Sequence, residues 1–224
     1  MKKADYPYVT VSYAQSLDGR IATSEGDSQW IGGPESLRLA HELRRDHDGI
    51  LVGVGTVLRD DPLLTCRIPD GRNPIRIILD STLRTPVSSR ILSTTDQSPV
   101  WLLHGSSASP ERREILAGTG CRFFELNSGE GQGVDRILSL LKKNGVKSLF
   151  VEGGGATITS FLTARAVDCL TVITAPLLIG KGIEAVGELG IRVLAKAMRP
   201  LRFKRWTLGN DEVTQLFFTE RTLT

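Results

Sequence analysis

The chain has 224 residues, 40% hydrophobic and 24% charged, enough to bury one large core or two small ones. Its 28 Lys and Arg against 25 Asp and Glu leave a formal charge of only +3, far from the basic stripe that phosphate-backbone binding requires, so nucleic acid is not expected as a partner. Gly (23) and Pro (10) are close to average usage and no like-charge block or short repeat occurs, which argues against disorder, collagen and solenoids and leaves a globular, enzyme-like composition.

Cys66, Cys121 and Cys169 are odd in number, more than 40 residues apart and never in a CxxC pair. That spacing disfavours a disulfide framework or a zinc knuckle, and the expectation is buried thiols in a reducing cytoplasm. Met1-Lys2-Lys3 is followed by Ala4-Asp5-Tyr6-Pro7, not by an apolar run, so no secretory signal is expected. No window approaches the ~20 apolar residues of a membrane helix. A cytoplasmic protein without membrane association is expected.

In chain order, the β-branched and aromatic run Tyr8 to Ala14 reads as the first strand, and Asp18-Gly19 as a turn after it. Pro34-Glu35 opens a helix carrying Leu37, Ala40 and Leu43 as an apolar stripe, with His41 and Arg44 beside it. Further strands are predicted at Gly49 to Val54, Ile75 to Asp80, Val100 to His104, Lys147 to Glu152 and Cys169 to Ala175. Most are short and apolar throughout, as strands covered on both faces are. Helical stretches at Ser109 to Ala117, Val134 to Asn144 and Ala156 to Ala164 supply the covering layers, so the fold class is α/β with a largely parallel sheet. Leu201 to Leu208 and Val213 to Glu220 read as an antiparallel C-terminal hairpin joined by Gly209-Asn210-Asp211-Glu212. The stretch Gly129 to Gly133 is too short to be more than a loop, and one domain over 1–224 is the expected count.

The strongest local signal is Val151-Glu152-Gly153-Gly154-Gly155-Ala156-Thr157, an apolar strand ending in a carboxylate and passing through three glycines into a helix. Such a turn exposes N–H groups at a helix start and suits a phosphate or pyrophosphate; the alternative is a tight turn without ligand. It is neither a Walker A loop nor a GxGxxG after the first strand. A second cluster, Gly53 to Arg67, reads as a strand end followed by a polar loop with Asp60-Asp61 and flanking arginines, either a ligand loop or a solvated turn. His41, His47 and His104 offer no metal-ligand spacing, and no metal is expected. The GxSxG elbow and the zinc-deaminase signature are both absent.

The ordered set Ser16-Leu17-Asp18-Gly19-Arg20-Ile21-Ala22, Gly26-Asp27-Ser28-Gln29-Trp30-Ile31, His41-Glu42-Leu43-Arg44, Gly53-Val54-Gly55-Thr56, Asp60 to Arg67 and Glu152-Gly153-Gly154-Gly155 resembles the pyrimidine reductase of riboflavin biosynthesis. The resemblance runs from about Tyr8 to Gly182 and more loosely to the C-terminus. It implies a dihydrofolate-reductase-like fold, a homodimer, NADPH as hydride donor, and reduction of the ribosyl group of a pyrimidine ribosylamine 5′-phosphate to a ribityl chain. Carried over residue by residue, it implies cofactor contacts at Ala14, Trp30, Thr56, Asp60, Ser81, Gly154, Gly155, Ala156, Thr157, Ile158, Thr159 and Ser160. It implies substrate contacts at Ser28, Arg44, Leu64, Arg67 and Glu152, with Glu152 also the catalytic candidate.

Two departures from the family pattern are visible. Ser12 stands where many bacterial members carry a lysine, and the expectation is a reductase without the zinc deaminase often fused to bacterial members, since no deaminase motif occurs in this sequence. Two rival readings are a related reductase acting on another heterocycle or carbonyl, supported by Ser12, and a non-catalytic nucleotide-binding module, against which Glu152, Arg44 and Arg67 argue. Proton delivery is open among Glu152, another side chain and bound water, as is whether deamination precedes reduction.

Overall fold

Pro7 and the β-branched run behind it start strand β1, which extends over Tyr8–Ser16 in the computed structural model of residues 6–126 and 133–223. It is two residues longer than predicted, because the pairing with β8 (Cys169–Ala175) continues to Ser16↔Ala175. The Asp18-Gly19 turn is borne out, with Gly19 at φ +81°, and leads into a short strand, β2 (Arg20–Thr23). Helix α1 spans Pro34–Asp46 with proline in its first turn as expected. Its predicted apolar stripe is not its buried face: Leu37 is exposed, while Ser36 and Arg44 are buried. The helix is held through polar atoms instead, since the buried Asp211 carboxylate accepts from Ser36 Oγ (2.5 Å) and from Gly33 N–H (2.7 Å).

The chain continues through β3 (Gly49–Gly53), α2 (Val54–Asp60), β4 (Ile75–Leu79), β5 (Val100–His104), α3 (Pro110–Ala117) and β6 (Arg122–Glu125). It then forms α4 (Val134–Lys143), β7 (Ser148–Val151), α5 (Gly155–Thr163), β9 (Gly182–Glu184) after β8, β10 (Arg202–Leu208) and β11 (Asp211–Phe217). Nine strands form one sheet in the order β10-β11-β8-β1-β7-β3-β4-β5-β6, and β2 pairs with β9 in a second ribbon. From β8 to β6 every pairing is parallel, and β11 and β10 close the other edge antiparallel.

The apolar strands are buried on both faces, as their lack of alternation predicted. Leu51, Ile77, Leu103, Leu149 and Val151 pack with α4 and α5 residues such as Leu138, Leu141, Ile158 and Phe161. Ile50, Val52, Ile78, Leu102 and Phe150 pack on the opposite face with Val57 of α2 and Leu116 of α3.

Several predictions from the sequence are corrected. The polar loop expected after Gly53 starts as α2, because Val54 and Val57 bury one side of a short helix and Asp61 closes it at φ 39°. The C-terminal hairpin turn is only Gly209-Asn210: Asp211 and Glu212 already pair with Leu208 and Thr207. Its second strand ends at Phe217, since beyond it Thr219 Oγ1 donates to the buried Asp168 carboxylate (2.8 Å). Of the cysteines, Cys121 and Cys169 are buried, with burial pushing the Cys169 thiol up to about 11, whereas Cys66 is only half-buried. The loop read at Gly129 to Gly133 lies, except for Gly133, outside the described residues, as does the segment Met1 to Asp5.

Candidate active site

Strands β3 to β6 step outward in sequence order, while β7 returns to sit between β1 and β3 and β8 lies on the other side of β1. The winding therefore reverses around β1, β7 and β3, and the carboxyl ends of these strands form the crevice where α/β sheets take ligands. Glu152 stands there, immediately after β7, its N–H donating to the Leu51 carbonyl of β3 (3.0 Å).

From the last turn of α1, Arg44 reaches across to it. Nε donates to Glu152 Oε2 at 2.9 Å and Nη2 to Oε1 at 2.6 Å, a fork-to-fork pair, while Nη1 donates to the Thr65 carbonyl at 3.2 Å. Arg44 is 8% exposed, so this geometry is fixed by burial as well as charge. The neighbouring turn is braced from below by Arg76 of β4, which is fully buried and donates to Leu63 O (3.1 Å), Thr94 Oγ1 (2.7 Å), Thr94 O (2.6 Å) and Ser98 O (2.6 Å). Burial draws the Arg76 guanidinium down to about 10. Leu64, next to the braced carbonyl, is buried at φ 55°.

Arg67 is exposed at the end of this turn. Burial of part of its side chain and then the Arg44 and Arg90 guanidinium groups lower its pKa, with Glu152 opposing. Its backbone N–H donates to His41 Nδ1 (3.1 Å). Burial, with Glu152 adding to it, raises the pKa of Asp60 at the end of α2. Arg44, Glu152, Arg67, Asp60 and the Leu64 turn are thus brought together. Ser28 is half-buried in a turn whose carbonyl accepts from Ile31 N–H (3.1 Å), and no side-chain bond ties it to the pair.

The cofactor candidates lie on β1, on α2, on the loop after β4, on the turn after β7 and α5 behind it, and on the segment between β2 and α1. Ala14 lies on β1 opposite Ile173 of β8, and Thr56 is half-buried in the first turn of α2. Trp30 is 66% exposed, which leaves a large apolar face open. Ser81 is exposed after β4, its carbonyl accepting from Gly105 N–H (3.0 Å). Beside it the buried Asp80 carboxylate accepts from Thr85 N–H and Oγ1, both at 2.7 Å, and shapes the loop that presents Arg84.

Gly154 immediately precedes α5 and gives it no side-chain cap, and the first intrahelical bonds run from Thr157 and Ile158 N–H to the Gly154 carbonyl. The N–H groups of Gly155 and Ala156 precede those bonds and offer an anion site. A Cβ at Gly154 would stand in open space, whereas at Gly53 it would meet Thr157 Oγ1 at 2.8 Å, so the β3 and β7 turns close around this helix start. The residues fit a dinucleotide phosphate. Within the run, Ile158 is fully buried in the core beside Phe161, so its side chain faces away from any ligand. Thr159 Oγ1 already accepts from Gly187 N–H (2.8 Å), and Ser160 Oγ donates to the Ala156 carbonyl (2.8 Å).

Gly155 carries a testable consequence, since a Cβ there would lie 2.5 Å from the Glu184 carbonyl and 3.3 Å from that of Ala185. Gly155→Ala must push β9 from the start of α5, and overpacking of this kind costs about 1–3 kcal/mol. A lowered urea midpoint with an unchanged slope is expected; an unchanged midpoint would show that β9 yields freely.

Two clefts lie elsewhere. One of about 560 Å³ opens at the ends of β5 and β6 between His104, Gly105, Arg113 and Phe123, joined to Ser81 through its bond to Gly105. One of about 320 Å³ is lined by Tyr13, Gln15, Arg20 and Glu184. Sequence reasoning missed Arg76, Arg90 and the His41–Arg67 bond; the only signal for the last was that His41 and Arg44 share a helix face at i, i+3. Among the described residues, no group of three His, Cys, Asp or Glu side chains is arranged for a metal ion, and no helix is long and apolar enough to cross a membrane.

The parallel sheet with its antiparallel C-terminal hairpin and a ligand crevice at the winding reversal define a dihydrofolate-reductase-like α/β protein. Residues 7–213 match the family model described as the RibD C-terminal domain, and the chain belongs to that family. It is 39% identical to riboflavin biosynthesis protein RibD of Aquifex aeolicus over 95% of this chain and 57% of the relative. It is 40% identical to 2,5-diamino-6-ribosylamino-4(3H)-pyrimidinone 5′-phosphate reductase of Methanothermobacter thermautotrophicus, over 93% and 97% of the two chains. Among solved structures, Acinetobacter baumannii RibD superposes with a TM-score of 0.80 at 27% identity, over 96% of this chain and 59% of that one. The chain thus spans about half the length of the RibD proteins it matches and nearly all of the Methanothermobacter reductase.

Proposed function

We propose that this protein is an NADPH-dependent reductase that converts the ribosyl group of a pyrimidine ribosylamine 5′-phosphate into a ribityl chain. The observation that carries the reading is the Arg44–Glu152 fork at the end of β7, directly followed by the uncapped start of α5: a substrate wall beside an anion cradle. The Methanothermobacter relative named for the diaminopyrimidinone substrate supports the same substrate class.

In this reading the nicotinamide supplies a hydride to the sugar C1′. Gly155 and Ala156 N–H hold the cofactor phosphates, with Gly154, Thr157, Thr159 and Ser160 around them, and Ala14, Trp30, Thr56, Asp60 and Ser81 line the remainder. Ser28, Leu64 and Arg67 complete the substrate wall, with Arg67 binding the 5′-phosphate. Glu152, oriented by Arg44, accepts hydrogen bonds from ribose or pyrimidine donors and stabilises positive charge as C1′ opens toward an imine. We read residues 1–224 as one domain acting in the cytoplasm as a homodimer. Edge strand β10, with Phe203 60% and Trp206 37% exposed, supports a second copy as its cover.

NADPH oxidation followed by absorbance, with the diaminopyrimidinone and the deaminated uracil ribosylamine phosphates offered separately, tests class and substrate together. Oxidation with neither would defeat the reading. A preference for NADPH over NADH is expected from Arg84, exposed on the loop that Asp80 shapes. Loss of a charge-assisted bond to the 2′-phosphate is worth on the order of tenfold or more, so Arg84→Ala should narrow the kcat/KM ratio by that factor. Equal use of both cofactors by the unaltered protein would show that Arg84 faces no phosphate.

A further inference from the structure

Arg67 is exposed, yet the turn beneath it is clamped twice by one residue of α1. The His41 carbonyl accepts from Cys66 Sγ (3.4 Å), and His41 Nδ1 accepts from the Arg67 backbone N–H (3.1 Å). An acceptor at Nδ1 requires the neutral ring carrying its proton on Nε2. Three residues further along the same helix, Arg44 holds Glu152 and the Thr65 carbonyl, so α1 fixes both ends of the segment Thr65 to Arg67.

We infer that His41 is a positioning residue for substrate: its Nδ1 fixes the Arg67 amide and so aims the Arg67 guanidinium at the substrate phosphate. This rests on the reading that Arg67 binds that phosphate. The charged and polar groups facing the ring are Arg44 from α1, the Thr65 carbonyl and Arg67 from the turn, and Glu152 from the end of β7. Burial, followed by Arg44 and Arg67, holds the ring below its ordinary pKa of 6.5, against the opposing pull of Glu152 and the Thr65 carbonyl. At pH 7 the ring is therefore neutral and the acceptor available. Protonation removes the acceptor, so affinity for substrate falls as pH drops through the His41 pKa.

The test compares His41→Leu, which deletes the acceptor, with His41→Asn, whose Oδ1 replaces Nδ1. Steady-state KM for the pyrimidine ribosylamine phosphate should rise about three- to tenfold in the Leu variant, the value of one hydrogen bond, with kcat and the KM for NADPH unmoved. His41→Asn should restore most of the loss and abolish the wild-type rise in KM at low pH; the substrate's own phosphate titration is common to both proteins and cancels in the comparison. Should the Leu variant lose stability, His41→Gln, whose amide lies near the former Nε2, makes the same comparison. In an Arg67→Ala background His41→Leu should add nothing. A full effect in that background, or an unchanged KM where Arg67→Ala alone raises it, overturns the role of His41. An unchanged KM in Arg67→Ala itself overturns the phosphate reading on which this role stands.

Discussion

Replacing Glu152 by Gln is expected to slow reduction about 100-fold while leaving NADPH affinity unchanged. The carboxylate lies at the end of β7, one residue before the glycine turn, where its charge would oppose a cofactor phosphate if the side chain pointed along α5. It points instead to Arg44, which takes both oxygens at 2.9 and 2.6 Å. Glutamine keeps one acceptor for that guanidinium but loses the negative charge that would balance the developing imine, and one charged contact of about 2.7 kcal/mol in the transition state corresponds to the 100-fold loss. The fold should survive at a cost of about 1–2 kcal/mol, because Arg44 keeps its bond to Thr65 O and a neutral partner. Single-turnover kinetics, NADPH titration by fluorescence and a denaturation curve separate the three effects. Normal turnover would make Glu152 only a brace for Arg44, and the substrate wall would have to be rebuilt around Arg44, Arg67 and Ser28.

That brace marks the limit of what the sequence made legible. Strands β3, β5 and β7 could be read because double-sided burial leaves largely continuous apolar runs, β4 because Ile77 to Leu79 stay apolar beyond Arg76, and α1 because proline suits its first turn. Strands β2 and β9 could not, since each is four residues or fewer and exists only by pairing with a partner more than 150 residues away. Helix α2 was hidden because Val54-Gly55-Thr56 has poor helix propensity, and what stabilises it is the burial of Val54 and Val57. The family resemblance singled out both Arg44 and Glu152, but not their bond, which joins residues 108 apart and depends on β7 inserting beside β3. The same limit applies to Gly154 to Ser160, taken as one uniform run: helical periodicity turns Ile158 into the core and sets Gly155 against β9, while the N–H groups of Gly155 and Ala156 precede the first intrahelical bonds.

Arg67→Ala should weaken binding of the pyrimidine phosphate about 10- to 150-fold and leave NADPH binding unchanged. A guanidinium can grip phosphate through two N–H groups, and removing a charge-assisted bond costs on the order of 1.5–3 kcal/mol. Among the described residues no carboxylate pairs with Arg67 within 4.0 Å, in contrast to Arg44, whose charge Glu152 takes up. Of the two arginines, Arg67 therefore has the guanidinium available for a phosphate. The Arg44 and Arg90 charges near it disfavour its own charge and are relieved when a dianion arrives, so binding should be stronger than one exposed arginine supplies. That relief should also make the affinity fall steeply with salt in the unaltered protein and less steeply in the variant, because one fewer cation faces the phosphate. Isothermal titration with substrate and with NADPH at two ionic strengths measures both effects. An unchanged substrate affinity would return Arg67 to a solvated surface charge and move the phosphate toward Ser28 and Arg90.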